Sequence, residues 1–160
     1  YYEQYVSRVP DVDILELLAS QGRETLQLLE TIDEEKAQYR YEAGKWSIKE
    51  LVGHVSDVER VFAYRALVFA RNDTTPQAGI EQDDYVAHAN FDARALRSIA
   101  TEFASVRAAT LSLFEGLGPD TWMRRGKASG FDFTVRSIPY ILAGHEIHHV
   151  AVLRQRYLGG

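Results

Sequence analysis

Four stretches of the chain place apolar residues at alternating spacings of three and four, which is typical of helices with one buried face. They run over about residues 13–32, 47–71, 92–113 and from 134 to the closing glycines. Their apolar positions are Leu15, Leu18, Leu26, Leu29 and Ile32; Leu51, Val55, Val58, Phe62 and Phe69; Leu96, Ile99, Phe103, Val106 and Leu113; and Ile138, Ile141, Leu142, Val152 and Leu153. Since no strand pattern of comparable strength is present, the sequence predicts an all-α four-helix bundle, with residues 1–160 as one domain.

Each predicted helix begins at a recognisable start signal. Asp13 and Ser47 are each followed three residues later by Glu, which makes a capping box for the first two helices. Asp92 and Thr134 mark the predicted starts of the third and fourth helices, because each is flanked by an apolar pair placed as a hydrophobic staple. Pro139 then falls in the first turns of the fourth helix, where the missing backbone donor is tolerated.

Two connections between the predicted helices stand out. Residues 72–91 form a loop of twenty residues between helices 2 and 3, with Pro76, Gly79 and an acidic stretch. Loops of this length in compact domains commonly form lids or walls of sites, and the alternative is a plain crossover between helices of the bundle. A short hairpin around residues 126–133 is the second feature, supported by a weaker pattern.

Composition excludes several classes of function. The chain has 160 residues, a formal net charge of −5 and no cysteine. The acidic balance disfavours a nucleic-acid partner, and no apolar run reaches the roughly 18 residues that cross a bilayer. The lack of cysteine excludes disulfides and thiolate ligands, so any metal would be bound by His, Asp or Glu. We therefore expect a cytoplasmic protein without a membrane or nucleic-acid partner.

His145 and His149 are the first candidates for chemistry. They lie four residues apart in the fourth helix and so project in the same direction, within its apolar stripe. Two buried imidazoles without partners are unfavourable, and neutral imidazole is a common ligand of Zn, Ni and Fe. Taken alone, the pair is equally consistent with one histidine satisfied in the core and one near the surface.

His54 supplies a third candidate ligand. It lies at the edge of the apolar stripe of the second helix, from which it can face the fourth helix. Three protein ligands with open positions are the pattern of a catalytic metal site rather than a structural one. We therefore predict that His54, His145 and His149 bind one divalent metal ion.

Other polar residues near these histidines are weaker candidates. His88 lies in the long loop and His148 points away from the direction of His145, so both are expected at the surface or beside a ligand. Asp57 could orient a ligand, although a surface position is favoured. Arg65 and Arg71 could bind a substrate carboxylate, although surface or ion-pairing roles are favoured.

The sequence HEIHH also matches the H-E-x-x-H motif of zinc proteases, with Glu146 as the candidate base. Those proteases take a third ligand downstream of the motif, whereas the eleven residues after His149 contain no His, Asp or Glu. Glu146 also projects about 100° around the helix from His145. A di-iron carboxylate site is excluded as well, because Glu146 and His149 form a single Glu-x-x-His where two are needed.

The stretches KWSIKELVGHVSDVERVFAYRALVFAR and AGHEIHHVAVLRQRYL resemble the DinB-like (DinB/YfiT) superfamily of metal-binding four-helix bundles. In this resemblance the family's helix-2 histidine matches His54, and its H-x-x-x-H in helix 4 matches His145 and His149. The resemblance implies a divalent ion, Zn or Ni in the first place and Fe or Mn as alternatives. It also implies activities such as thiol-dependent S-transfer, mycothiol-dependent maleylpyruvate isomerisation or hydrolysis.

Three functional hypotheses follow from these patterns. The leading one is a metal-dependent transferase that joins a low-molecular-weight thiol to an electrophilic small molecule, because a divalent ion lowers the pKa of a bound thiol. The second is a metal-dependent hydrolase that uses metal-bound hydroxide, and the third is a non-enzymatic, stress-associated metal-binding module. The catalytic residues beyond the metal ligands are not identified by the sequence.

The fourth helix also predicts self-association. Tyr140, Ile147 and Val150 give it a second apolar side, away from His145. A homodimer would cover this side, in keeping with the family resemblance. The alternative is a monomer in which residues 118–133, with Trp122 and Phe131, fold over it.

Overall fold

The computed structural model describes residues 2–159 and is mostly helical. Its α-helices are α1 (Glu3–Val6), α2 (Ile14–Glu30), α3 (Glu34–Ala37), α4 (Ile48–Ala70), α5 (Gln82–His88), α6 (Leu96–Glu115) and α7 (Ser137–Val152). Helix α7 continues into a π-helical turn, Leu153–Tyr157, and 3₁₀ turns occur at Phe91–Ala93 and Pro119–Thr121. Strands β1 (Arg125–Ala128) and β2 (Phe131–Thr134) form an antiparallel hairpin, in which Arg125 pairs with Thr134 and Ala128 with Phe131.

Helices α2, α4, α6 and α7 form the predicted four-helix bundle. Helix α4 packs against α6 and α7, and α2 packs against the same two helices. Consequently α2 lies diagonally opposite α4, and α6 lies diagonally opposite α7. The chain crosses the bundle diagonal twice, through residues 31–47 and through residues 116–136, which contain the hairpin.

This topology corrects one interpretation of the long connection over residues 72–91. Because α4 and α6 are neighbours, this segment is not a crossover between distant helices. It contains helix α5, and its Val86 is buried. The segment instead lies beside the candidate site, as described below.

The first two helix starts are confirmed. The Asp13 carboxylate accepts hydrogen bonds from the backbone N–H groups of Leu15 and Glu16. The Ser47 hydroxyl accepts from the N–H of Glu50, while the Glu50 carboxylate accepts from the N–H of Ser47, which completes the capping box. Both helices thus begin where their side chains satisfy free backbone donors.

The predicted start of the third helix at Asp92 is wrong. Asp92 lies in a 3₁₀ turn, and α6 begins at Leu96 after an extended Arg94. The Leu96 N–H donates to the Glu34 carboxylate at 2.6 Å. Because Glu34 lies after α2, α6 is capped by a residue from a distant part of the chain. Asp92 instead accepts a hydrogen bond from the Ser47 hydroxyl and pairs with Arg40.

The fourth helix also begins later than predicted. Thr134 is the last residue of β2, and α7 starts at Ser137. The Thr134 hydroxyl still accepts a hydrogen bond from the Ser137 N–H at 3.1 Å, so it caps the helix from the end of a strand.

Two apolar clusters fill the bundle, with polar residues between them. The first cluster contains Leu18, Phe62, Phe114 and Ile138, and the second contains Leu29, Leu51, Ile99 and Leu153. Between them along the four helices lie buried polar side chains: Gln21, Thr25, His54, Glu59, Arg107, His145 and Glu146. The middle of the bundle is therefore a polar layer, and it contains the candidate histidines.

The short helix α1 covers part of α7 at Gly144. A Cβ atom on Gly144 would lie 2.0 Å from the Tyr5 carbonyl oxygen, so only glycine permits this approach of the two backbones. The sequence did not predict this contact. Tyr140, Ile147 and Val150 remain half-buried on α7. Within residues 2–159, no helix is long and apolar enough to span a membrane.

Candidate metal centre

The three predicted histidines converge where α4 and α7 cross. His54 is 2% exposed and His145 is 6% exposed, while His149 is half-buried. The Nε2 atom of His145 lies 3.2 Å from Nε2 of His54 and 3.1 Å from Nε2 of His149. The nitrogen atoms of all three rings that could serve as ligands lie within 4.8 Å of one another.

These separations suit a shared cation better than a hydrogen-bonded trio. A hydrogen bond between two ring nitrogens requires that one of them carries a hydrogen atom. A single N–H at Nε2 of His145 could donate to Nε2 of His54 or of His149, but it would not point at both. A tetrahedral zinc site with Zn–N bonds of about 2.0–2.1 Å places its nitrogens about 3.3 Å apart. The observed 3.1 and 3.2 Å are close to that value. The three side chains therefore fit a divalent ion.

All three imidazoles are held in the neutral, ligating form. Burial lowers the pKa of His54 from 6.5 to about 4. Burial, together with His54 and His148, lowers the pKa of His149 to about 3. Burial and the neighbouring histidines lower the pKa of His145 well below its ordinary value. Near neutral pH each ring can offer a lone pair without first losing a proton.

Aromatic side chains hold the histidine rings on two sides. The Trp46 ring centroid lies 4.6 Å from that of His54 and 6.5 Å from that of His149. The Tyr157 hydroxyl donates to the Trp46 carbonyl at 2.8 Å and so fixes this segment. From α1, the Tyr5 ring lies 5.4 Å from the ring of His145. These contacts restrict ring rotation and favour a preformed site.

A cavity of about 610 Å³ opens beside the cluster. Its wall includes His54 and His145 and apolar or aromatic side chains such as Phe62 and Ile141. Residues 79–83 of the long connection form another wall, which supports the interpretation of that segment as part of a site. The volume is in the range of pockets that bind small molecules.

The expectation of a surface or ion-pairing role is wrong for Arg65. Arg65 is 2% exposed and lines the cavity. Its Nη2 donates to the Ala78 carbonyl at 2.8 Å and to the Ser129 hydroxyl at 3.0 Å. In the part of the chain that the structure describes, it has no carboxylate partner. Arg71, in contrast, is exposed at the end of α4.

Glu146 faces away from the histidines and joins a buried ionic cluster, which we call the carboxylate–arginine cluster: Glu59, Arg107 and Glu146. Arg107 donates two hydrogen bonds to Glu59, at 2.9 and 2.8 Å, and one to Glu146 at 2.8 Å. Gln21 and Thr25 of α2 each donate to Glu146 at 2.6 Å. The geometry agrees with the rejection of Glu146 as a protease base, because both of its oxygens are occupied.

The remaining sequence candidates lie outside the histidine cluster. His88 is exposed, and its Nδ1 contacts the Asp84 carbonyl oxygen at 2.7 Å. His148 is half-buried, with its ring centroid 5.0 Å from that of the candidate ligand His149. Asp57 is partly buried and pairs with Arg60.

Comparison with known proteins identifies the family. The sequence pattern that defines the DinB superfamily matches residues 17–153 of the chain. The protein belongs to the DinB superfamily. This family match covers most of α2 and all of α4, α6 and α7, and so includes all three histidines. No curated protein sequence matches the chain significantly.

Solved structures show the same fold at low sequence identity. YfiT from Bacillus subtilis, described as a probable metal-dependent hydrolase with an unusual four-helix bundle topology, superposes with a TM-score of 0.74 at 15% identity. The match covers 89% of this chain and 85% of YfiT. The mycothiol-dependent maleylpyruvate isomerase gives a TM-score of 0.73 at 14% identity, over 91% of this chain and 61% of the isomerase. These similarities establish the DinB-like fold of this chain.

Proposed function

We propose that the protein is a metal-dependent enzyme that transfers a low-molecular-weight thiol to an electrophilic small molecule. The observation that carries the proposal is the cluster of three neutral histidines, two of which, His54 and His145, line an open cavity of about 610 Å³. A structural metal site is usually closed by four protein ligands, whereas three ligands leave positions for a substrate. Within residues 2–159, His54, His145 and His149 are the only His, Asp or Glu side chains of this cluster.

His54, His145 and His149 would bind the ion through their Nε2 atoms. Zn or Ni suits this nitrogen donor set first, with Fe or Mn as alternatives. When bound, the ion would lower the pKa of a thiol and so supply a thiolate near neutral pH. The chain contains no cysteine of its own, so the sulfur would come from the substrate.

The surrounding residues would bind and orient the reactants. Tyr5 and Trp46 pack against the histidine rings and keep them from rotating. Phe62 and Ile141 give the cavity an apolar wall that excludes water from part of the bound molecule. The mycothiol-dependent activity of the isomerase with this fold supports a thiol as one reactant.

A metal-dependent hydrolase is the second candidate. It is favoured by the description of YfiT as a probable metal-dependent hydrolase. In that case the same histidines would bind the ion, and the cavity would hold an ester or amide instead of a thiol and an electrophile. The histidine cluster serves both reactions, so the choice between them depends on turnover.

A panel of reactants distinguishes the candidates. Metal-loaded protein should catalyse the displacement of halide from a chromogenic aryl halide by the thiolate of mycothiol, glutathione or cysteine, which forms a thioether and releases halide and a proton, measured as absorbance against time. H145A should lose this activity and H148A should keep it. Cleavage of a p-nitrophenyl ester without thiol would instead favour the hydrolase. Stoichiometric metal binding with neither activity would contradict both and favour a non-enzymatic metal-binding module.

A further inference from the structure

We infer that Arg65 is the anion-recognition residue of this cavity and that the natural substrate carries a carboxylate or a similar oxyanion. The inference rests on the proposed function only in taking the histidine cluster as the reaction centre. It adds the chemical class of the molecule and the residue that binds its charged end.

Burial without a counter-ion is the first argument. A guanidinium remains charged at any physiological pH, and a buried charge is unfavourable unless it is paired. Arg107, the other deeply buried arginine of α4 and α6, is paired with two carboxylates. Arg65 is similarly buried, but its acceptors among residues 2–159 are two neutral oxygens, and its Cζ lies 4.7 Å from the ring centroid of Phe62.

The unused donors of Arg65 are the second argument. Both of its hydrogen bonds come from Nη2, which leaves Nη1 and Nε without an acceptor among residues 2–159. Among residues 2–159, the side-chain atoms that are fully buried and have no hydrogen-bond partner are Gln21 Oε1 and Thr110 Oγ1. Nη1 and Nε of Arg65 are not among these atoms, so neither nitrogen is fully enclosed without a partner. Each of these two nitrogens has an N–H that a carboxylate oxygen can accept, and a charged acceptor makes such a bond stronger than a neutral one does.

The direction of Arg65 relative to the histidines is the third argument. Arg65 follows His54 by eleven residues on α4, so their Cα atoms are about 16 Å apart along the helix and on nearly the same face. Arg65 packs on Phe62, three residues earlier, so its side chain extends back toward His54. The charged end of a substrate bound at Arg65 would thus be roughly 10 Å from the histidine cluster, which is the length of a small extended molecule.

The position of Arg65 is fixed by two loops that form cavity walls. Ser129, which accepts its hydrogen bond, has a left-handed backbone with φ of 52° in the hairpin turn. The Ser129 N–H also donates to the Gln77 carbonyl, which ties the hairpin to residues 72–91. Side chains in such uncommon backbone conformations often belong to functional sites. The hairpin turn and Ala78 together hold the guanidinium at the cavity wall.

The acidic residues of the cavity lie elsewhere on its lining. Glu81 and Asp83 line it as well, but both are exposed to solvent. Water screens their charges much more than it screens the charge of the buried Arg65. We therefore expect the interior of the cavity, rather than its rim, to determine the charge of the bound molecule.

The test compares an acid with its neutral amide. Metal-loaded protein is titrated with 4-phenylbutanoate and with 4-phenylbutanamide, whose ring suits the aromatic lining, and dissociation constants are measured by NMR chemical-shift changes. The acid should bind about tenfold more tightly than the amide, because it forms a charge-assisted pair with Arg65. This measurement needs no turnover, so it can fail independently of the proposed reaction.

Variants assign the preference to Arg65. R65M should reduce the acid-to-amide ratio to about one, and R65K should keep an intermediate ratio because it retains charge but loses the planar fork. R71M is the matched control, since it removes an exposed arginine of the same region and should leave the ratio unchanged. Metal content, measured in each variant, should stay at the wild-type level.

Two results would overturn the inference. Equal binding of acid and amide by the wild-type protein would show that Arg65 does not recognise an anion. This result can be interpreted without any variant. A preference that persists in R65M would assign the acid to another group, such as the bound metal.

Discussion

Removing the Arg107 side chain should destabilise the protein more than any other single change to a charged residue outside the metal site. Arg107 joins three helices in the carboxylate–arginine cluster and also donates to the Leu18 carbonyl of α2 at 2.7 Å. Burial alone would lower the pKa of Arg107, but the hydrogen bonds of Glu59 and the charge of Glu146 raise it, so the residue remains a cation. In R107M both carboxylates would stay buried, and Glu59 would lose two hydrogen bonds and Glu146 one.

The magnitude follows from the fate of these two carboxylates. Glu59 and Glu146 are each 1% exposed, so water cannot replace the lost hydrogen bonds without opening the bundle. Breaking a buried ion pair by removing one partner costs about 3–5 kcal/mol. Because the free energy of unfolding of a domain is about 5–15 kcal/mol, this loss is a large share of the total.

Equilibrium urea unfolding, followed by circular dichroism, measures the effect. R60M is the matched control, because Arg60 also pairs with two carboxylates but is 47% exposed, and its loss should cost less than about 1 kcal/mol. Adding E59Q and E146Q to R107M should recover part of the stability, since the buried charges are then removed. A loss below about 1 kcal/mol in R107M would refute the account of this cluster.

Three further predictions concern the whole chain. Chelation of the metal should lower the melting temperature without loss of helical circular dichroism at room temperature, because four capped helices bury their own core; helix loss on chelation would contradict this. Since the folded-state pKa values of His54 and His149 are about 4 and 3, below the ordinary 6.5, only the unfolded chain takes up these protons as pH falls below 6.5. The urea midpoint of the chelated protein should therefore decrease between about pH 6.5 and pH 4, and less so in H149A; equal slopes would contradict the assignment. Because Ile147 and Val150 border an open groove between α2 and α7, we propose that the protein forms a dimer. Light scattering should then give about twice the 18.1 kDa mass of the chain, and the mass of a single chain would refute the dimer.

Sequence patterns predicted the bundle and the meeting of the three histidines because both depend on helical periodicity. His145 and His149 share a face at a spacing of four, and His54 borders the stripe of α4. The structure adds that α4 and α7 are neighbours and gives the distances between the rings, which the periodicity of a single helix does not contain.

The carboxylate–arginine cluster was missed because the stripes were followed through apolar residues alone. Glu59 continues the spacing of Val55 and Phe62, and Arg107 continues that of Phe103 and Thr110. The cluster could have been predicted from these charged residues, because each occupies a position that the helical periodicity assigns to the core. This placement indicates a buried ion pair whenever two such positions of opposite charge occur on different helices.

Other features depend on contacts between distant parts of the chain. The true start of α6 is set by Glu34, which precedes it by 62 residues. Arg65 was expected at the surface because nothing in the sequence shows that the hairpin turn at Ser129 lies over it. Helix α1 has four residues, too few for a periodic pattern to predict its packing on α7.

The metal content of purified, untagged protein tests the central claim most directly. Elemental analysis of the wild-type protein should find about one divalent ion per chain, and H54A, H145A and H149A should each lose stoichiometric binding. H148A is the matched control, because His148 adjoins the cluster without joining it, and it should retain the ion. A full site in H145A together with an empty one in H148A would contradict the account.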